Sequence, residues 1–166
     1  MTLPNVISMI RAALVAPVVW CIALGHPALA LAVFSLASIS DLVDGPLARR
    51  RHEVTALGTF LDPLADKILI AGTLAALAVH GAAPAWAVAI VIARELVAVE
   101  VRVRSPGLAA SADGKAKTVL QAIAAAALLA SLAWPSAGLA AAAGALLAAA
   151  ALLTVLSGVM LVRRAA

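Results

Sequence analysis

The chain has 166 residues, 65% of them hydrophobic and only 12% charged, with a mean hydropathy of +1.12. A soluble domain carries about 25% charged residues, so the composition excludes a soluble fold and implies an all-α integral membrane protein, one membrane domain over residues 1–166. The net charge of +4 and pI of 10.2 do not indicate nucleic acid, because the basic residues gather at helix ends without the interleaved surface aromatics of a nucleic-acid binder.

A crossing of the hydrocarbon core takes about 20 residues, and six such segments follow one another. The first runs from Asn5 to Leu24 and stops at Gly25-His26-Pro27; apolar character already at residue 3 makes it a permanent span rather than a removable leader. The second runs from Ala28 to Arg49 and the third from Ala56 to Val79, ending at His80-Gly81. The fourth covers Ala85 to Val103, before Ser105-Pro106-Gly107. The fifth runs from Lys115 to Trp134, with Pro135 after it, and the sixth from Gly138 to Val162. Gly and Pro punctuate most of these boundaries.

The turns at 25–27, 80–84 and 135–138 contain no Lys or Arg, whereas Arg49, Arg50 and Arg51, then Arg102, Arg104, Lys115 and Lys117, then Arg163 and Arg164 mark the opposite ends. The positive-inside rule therefore places both termini in the cytoplasm, where basic helix ends meet anionic membrane lipid. Trp20, Trp86 and Trp134 fall near the other membrane face and read as interface anchors. Cys21, the single cysteine, excludes an internal disulfide and reads as packing. His26, His52 and His80 lie in turns without metal-ligand spacing.

Four of the eight acidic residues are Asp41, Asp44, Asp62 and Asp66, at the end of the second segment and the start of the third. Asp41 and Asp44, three apart, share a helix face, as do Asp62 and Asp66, four apart. Asp41 precedes Arg49 by eight residues, about 12 Å of helix, so both pairs lie at similar depth below one mouth of the bundle. Ionised carboxylates gathered in a low dielectric repel unless protonated or held by cations, and a hard divalent ion, Mg²⁺ or Mn²⁺, suits oxygen ligands and binds phosphate oxygens as well. Helix-end ion pairing with Arg49 to Arg51 is the structural alternative, but it would not need two matched pairs, and intramembrane acids mark function by default. Gly45 and Gly58 remove side chains on the acid-bearing faces, Pro46 disturbs the backbone, and Arg49 offers a planar fork for a phosphate oxygen.

The pattern Asp41-x-x-Asp44-Gly45-x-x-Ala48-Arg49, eight residues, Gly58-x-x-x-Asp62-x-x-x-Asp66 resembles the signature of the CDP-alcohol phosphotransferases, with every fixed position matched. That family also has six membrane helices, so the resemblance covers essentially the whole chain. It implies transfer of a phosphatidyl or similar group from a CDP-linked lipid to an alcohol, with release of CMP. It further implies that Asp41, Asp44 and Asp62 hold metals, two ions in all, that Asp66 adds to the site and takes the acceptor's proton, and that the chain forms a homodimer. Arg49 would contact the pyrophosphate and Gly45 would make room for the nucleotide; Asn5 either caps the first helix or touches the nucleotide.

"TLPNVISMIR", "FLDPLADK", "ARE" at 93–95 and "GKAKTVLQ" at 114–121 resemble the branch of the family that joins CDP-diacylglycerol to glycerol 3-phosphate. The rival branch uses phosphatidylglycerol as acceptor and makes cardiolipin; Lys117, Thr118 and Gln121 favour the first. Glu100 stands where that branch is expected to carry glycine. Arg94, Arg102, Lys115, Lys117 and Thr118 form the candidate acceptor-phosphate site, since a lone cation deep in a membrane helix is expensive; the structural alternative for Arg94 is an ion pair with Glu95 or Asp66, and Arg104, Arg163 and Arg164 read as lipid contacts. A divalent-cation carrier is a reading from another class, but the first, fifth and sixth segments offer no acid and nothing polar continues to the far side. A non-catalytic scaffold would have no need of all four aspartates.

Overall fold

The computed structural model describes the backbone of residues 3–50, 56–104 and 112–165, with side chains for residues 6–40, 63–101, 116–161 and 163. Over these stretches the chain is helical without strands: α1 Leu3–Ala13, α2 Val15–Ala23, α3 Pro27–Arg50, α4 Ala56–Val79, α5 Ala85–Arg104, α6 Ala112–Ala133 and α7 Ala137–Ala165. Val6–Ala23, Ala116–Ala133 and Ala137–Leu161 are each long and apolar enough to cross a membrane.

The first expected segment is divided into α1 and α2. Pro17 has no N–H for the Ala13 carbonyl, and its ring crowds that carbonyl. Leu14 N–H instead donates to both the Ile10 and Arg11 carbonyls, at 2.9 and 3.2 Å, which tightens the turn before the helix restarts at Val15. Pro46 and Pro63 lie inside continuous α3 and α4.

The turns follow from local chemistry. Gly25 and Gly81 adopt φ of 74° and 77°, a region open to glycine without a Cβ penalty. At the end of α2, Gly25 N–H donates to Ile22 O and His26 N–H to Cys21 O; at the end of α4, Gly81 N–H donates to Ala78 O and Ala82 N–H to Leu77 O. Both are Schellman closures, which satisfy the last carbonyls of a helix. Pro27 opens α3, where its missing N–H costs nothing, and Ser136 Oγ accepts the Leu139 N–H at 3.2 Å to cap α7. Trp20, Trp86 and Trp134 are exposed beside these turns, as anchors would be, and Cys21 packs in the core.

In the bundle α4 packs against α1, α2, α5 and α6, while α7 packs on α5 and α6. Phe34, Leu69, Leu74, Leu77, Leu129 and Leu147 fill the centre. Lipid tails are as apolar as leucine, so close packing rather than hydrophobicity drives membrane helices together. Buried alanines 124 and 125 of α6, and 143, 150 and 151 of α7, allow that approach. Gln121 Nε2 of α6 also donates to Thr154 Oγ1 of α7 at 2.8 Å, so the glutamine of the GKAKTVLQ stretch ties two helices together.

A close helix approach gives a first prediction. A Cβ added at Gly72 of α4 would collide with the Cγ2 methyl of Val15 in α2, and a β-branched side chain has little freedom to turn away. Gly72→Ala is expected to destabilise the bundle by about 1–3 kcal/mol. Adding Val15→Ala should restore most of the loss, because the nearest remaining atom, the residue 15 Cβ, is 3.7 Å away. Thermal denaturation of both variants in detergent checks this; strictly additive losses would refute it.

Candidate active site

The predicted positions fall on two helices that follow one another in the chain. Positions 41, 44, 45 and 49 fall in the C-terminal part of α3, and 58, 62 and 66 in the N-terminal part of α4. Helical backbone runs through both sets, so the spacings of three and four place each aspartate pair on one face. The side chains of Asn5, Asp41, Asp44, Gly45, Arg49, Gly58, Asp62, Arg102 and Lys115 lie outside the described residues. Among the described residues, which include only Asp66 of the four aspartates, no three His, Cys, Asp or Glu converge as a metal site.

Asp66 is part-buried, its side chain 27% exposed, and its Oδ1 accepts a hydrogen bond from Arg11 Nη1 of α1 at 3.2 Å. Arg11 is 2% exposed. A cation this deep in an apolar helix requires a partner, and this one fixes the Asp66 carboxylate from the side of α1. Since α1 packs on α3 as well as α4, it touches both acid-bearing helices. Arg11 was not singled out in the sequence; its lone charge inside an apolar run was the available signal.

Beside Asp66 lies a second cluster, centred on buried Glu95 of α5. Lys117 Nζ of α6 donates to Glu95 Oε1. Arg94 Nη1 donates to the same oxygen at 3.3 Å, and Lys67 Nζ of α4 lies 3.1 Å from Oε2. One carboxylate thus joins three helices. Arg94 and Lys117 meet on the one carboxylate of Glu95, and for Arg94 this is the structural ion pair weighed above. Lys67 was missed: adjacency to Asp66 was its only sequence signal, and adjacency does not specify a partner. Thr118 is half-buried and Glu100 exposed on α5, outside this buried group.

The Arg94 stem passes close to α7. A Cβ at Gly158 would lie 3.1 Å from Arg94 Cγ, so the glycine leaves the space through which the arginine reaches Glu95. Its outer side faces an apolar groove of about 510 Å³ between α5 and α7, which Arg163 also lines.

Hard carboxylate oxygens from two helices fit a divalent cation by donor chemistry. The amines of Lys67 and Lys117 and the guanidinium of Arg94, gathered on Glu95, fit an anion. Such an arrangement has the parts for joining a metal-bound pyrophosphate to an anionic acceptor.

A sequence model described as CDP-alcohol phosphatidyltransferase matches residues 1–156 of the chain. The chain is 40% identical over 147 residues to the CDP-diacylglycerol–glycerol-3-phosphate 3-phosphatidyltransferase of Bacillus subtilis, with 76% of each chain covered. It is 39% identical over 139 residues to a probable phosphatidylglycerophosphate synthase of Mycobacterium tuberculosis, covering 82% of this chain and 65% of that one, just under two thirds of the relative's length. It is also 40% identical over 101 residues to a cardiolipin synthase (CMP-forming) of Streptomyces coelicolor, covering 57% of this chain and 47% of the other.

Proposed function

Because this chain belongs to the CDP-alcohol phosphatidyltransferase family, we propose that it transfers the phosphatidyl group of CDP-diacylglycerol to glycerol 3-phosphate, forming phosphatidylglycerol phosphate and CMP. The observation that carries this reading is the match over 76% and 82% of the chain to relatives named for that reaction. Membership in an enzyme family sets aside the cation-carrier and scaffold readings. The chain is a membrane protein by its apolar helices; we place six crossings in it, with both termini and the active site on the cytoplasmic side, and a homodimer as the assembly.

In this reading Asp41, Asp44, Asp62 and Asp66 hold two Mg²⁺ or Mn²⁺ ions. Bound there, the metals neutralise the pyrophosphate and the charge that develops on departing CMP. Arg49 contacts the pyrophosphate, Gly45 and Gly58 leave room for the nucleotide, and Asn5 lies at its edge. Asp66, held by Arg11, takes the proton of the acceptor hydroxyl as that oxygen attacks the phosphatidyl phosphorus. The cations Arg94, Arg102, Lys115 and Lys117, with the Thr118 hydroxyl, hold the acceptor phosphate.

Cardiolipin synthesis is the second reading, favoured by the Streptomyces relative. Its alignment covers 57% of this chain, against 76% and 82% for the other two, which supports glycerol 3-phosphate. The test is to give the purified protein CDP-diacylglycerol with each acceptor and identify the lipid formed. Phosphatidylglycerol phosphate is the expected product; cardiolipin from phosphatidylglycerol, with glycerol 3-phosphate unused, would overturn the reading.

A further inference from the structure

We propose that Lys67 is an anion-binding residue of the acceptor site, presenting its ammonium to the acceptor phosphate while Glu95 holds Lys117 and Lys67 side by side; this rests on the reading above. Two ammonium groups face one carboxylate: Lys117 on Oε1 and Lys67 on Oε2. An excess cation at membrane depth is costly, and the negative charge of a phosphate offsets it.

The two lysines are not equivalent. The Lys117 side chain is 3% exposed and hydrogen-bonded to Glu95, so it is the more enclosed of the two. That of Lys67 is 16% exposed. Its approach to Oε2 at 3.1 Å is an ion pair without hydrogen-bond alignment. An ammonium carries three N–H donors, so Lys67 keeps donors for another acceptor and has the access to use them. Residues 66 and 67 are adjacent on α4 and turn to different partners, Asp66 to Arg11 of α1 and Lys67 to Glu95 of α5. A phosphate resting on Lys67 is held one residue along α4 from Asp66, the proposed base.

The experiment uses inorganic phosphate as probe on the full chain in detergent, with Lys67→Met and Lys67→Arg. In the wild type, phosphate should raise the melting temperature and compete with glycerol 3-phosphate. Lys67→Met should weaken phosphate inhibition and raise the KM for glycerol 3-phosphate, each about tenfold to a hundredfold, the loss of a charge-assisted hydrogen bond. The KM for CDP-diacylglycerol should not move, and Lys67→Arg should recover much of the phosphate affinity. Unchanged phosphate affinity in Lys67→Met, or no effect of phosphate on the wild type, overturns the assignment. So does a general loss in Lys67→Met of melting temperature and both KM values with phosphate affinity intact, which would make the lysine a structural ion pair. If phosphate binding depends on Lys67 but the wild type does not use glycerol 3-phosphate, the acceptor reading fails and the anion site stands.

Discussion

Replacing Asp44 with asparagine is expected to abolish phosphatidyl transfer. Asparagine keeps the size of the side chain and one oxygen but removes the charge, and four carboxylates from two helices suit a divalent ion through charge as much as through geometry. Metal charge stabilisation in such a step is worth several kcal/mol, so the fall should be on the order of 10³-fold or more at about 1.4 kcal/mol per decade. Excess chelator should do the same to the wild type, with Mg²⁺ or Mn²⁺ restoring activity. A second readout needs no turnover: an ion that binds the folded state raises its stability, so metal should raise the melting temperature of the wild type and not of Asp44→Asn. Asp41→Asn and Asp62→Asn should behave alike. Full activity in excess chelator, or in Asp44→Asn, would sink the metal-dependent mechanism.

Asp66→Asn should lower turnover by about 10²-fold or more, the usual contribution of a general base, while CDP-lipid binding survives better than in Asp44→Asn. The Arg11 contact at 3.2 Å complicates this result in a useful way. Breaking a buried pair by removing one partner costs about 3–5 kcal/mol, so part of the loss in Asp66→Asn will be stability. The double variant Arg11→Met with Asp66→Asn separates the two, because it removes both charges together. If Asp66 is the base, the double variant should recover melting temperature relative to the single one and stay inactive. Recovery of turnover along with stability would reduce Asp66 to a structural partner of Arg11, and equal loss of nucleotide binding in Asp66→Asn and Asp44→Asn would make it chiefly a ligand.

Much of this protein was legible in its order of residues, for reasons that are local. Apolar runs of crossing length produce helices because every backbone group is satisfied within the segment. Gly25 and Gly81 end helices because each adopts a positive φ that other residues resist. The aspartate spacing pointed to the family before any helix was placed, and the match over residues 1–156 agrees. The division at Leu14 was harder to foresee: Pro17, Pro46 and Pro63 all lie within helical stretches, and helix restarts only before Pro17. The local rule is the same at all three, so the difference lies in what surrounds each backbone.

The long-range partners of the buried polar groups were decided by tertiary structure. Arg11 and Asp66 are 55 positions apart, Glu95 and Lys117 are 22, Gln121 and Thr154 are 33. Spacing along one helix tells which of its own residues share a face. It does not tell which neighbour that face meets, because each residue turns the helix by about 100° and the rotation of the whole rod is set by packing. Lys67 illustrates this: beside Asp66 in sequence, it faces α5 because α4 is seated between α1 and α5, and that seating makes a lysine next to the proposed base a partner of Glu95.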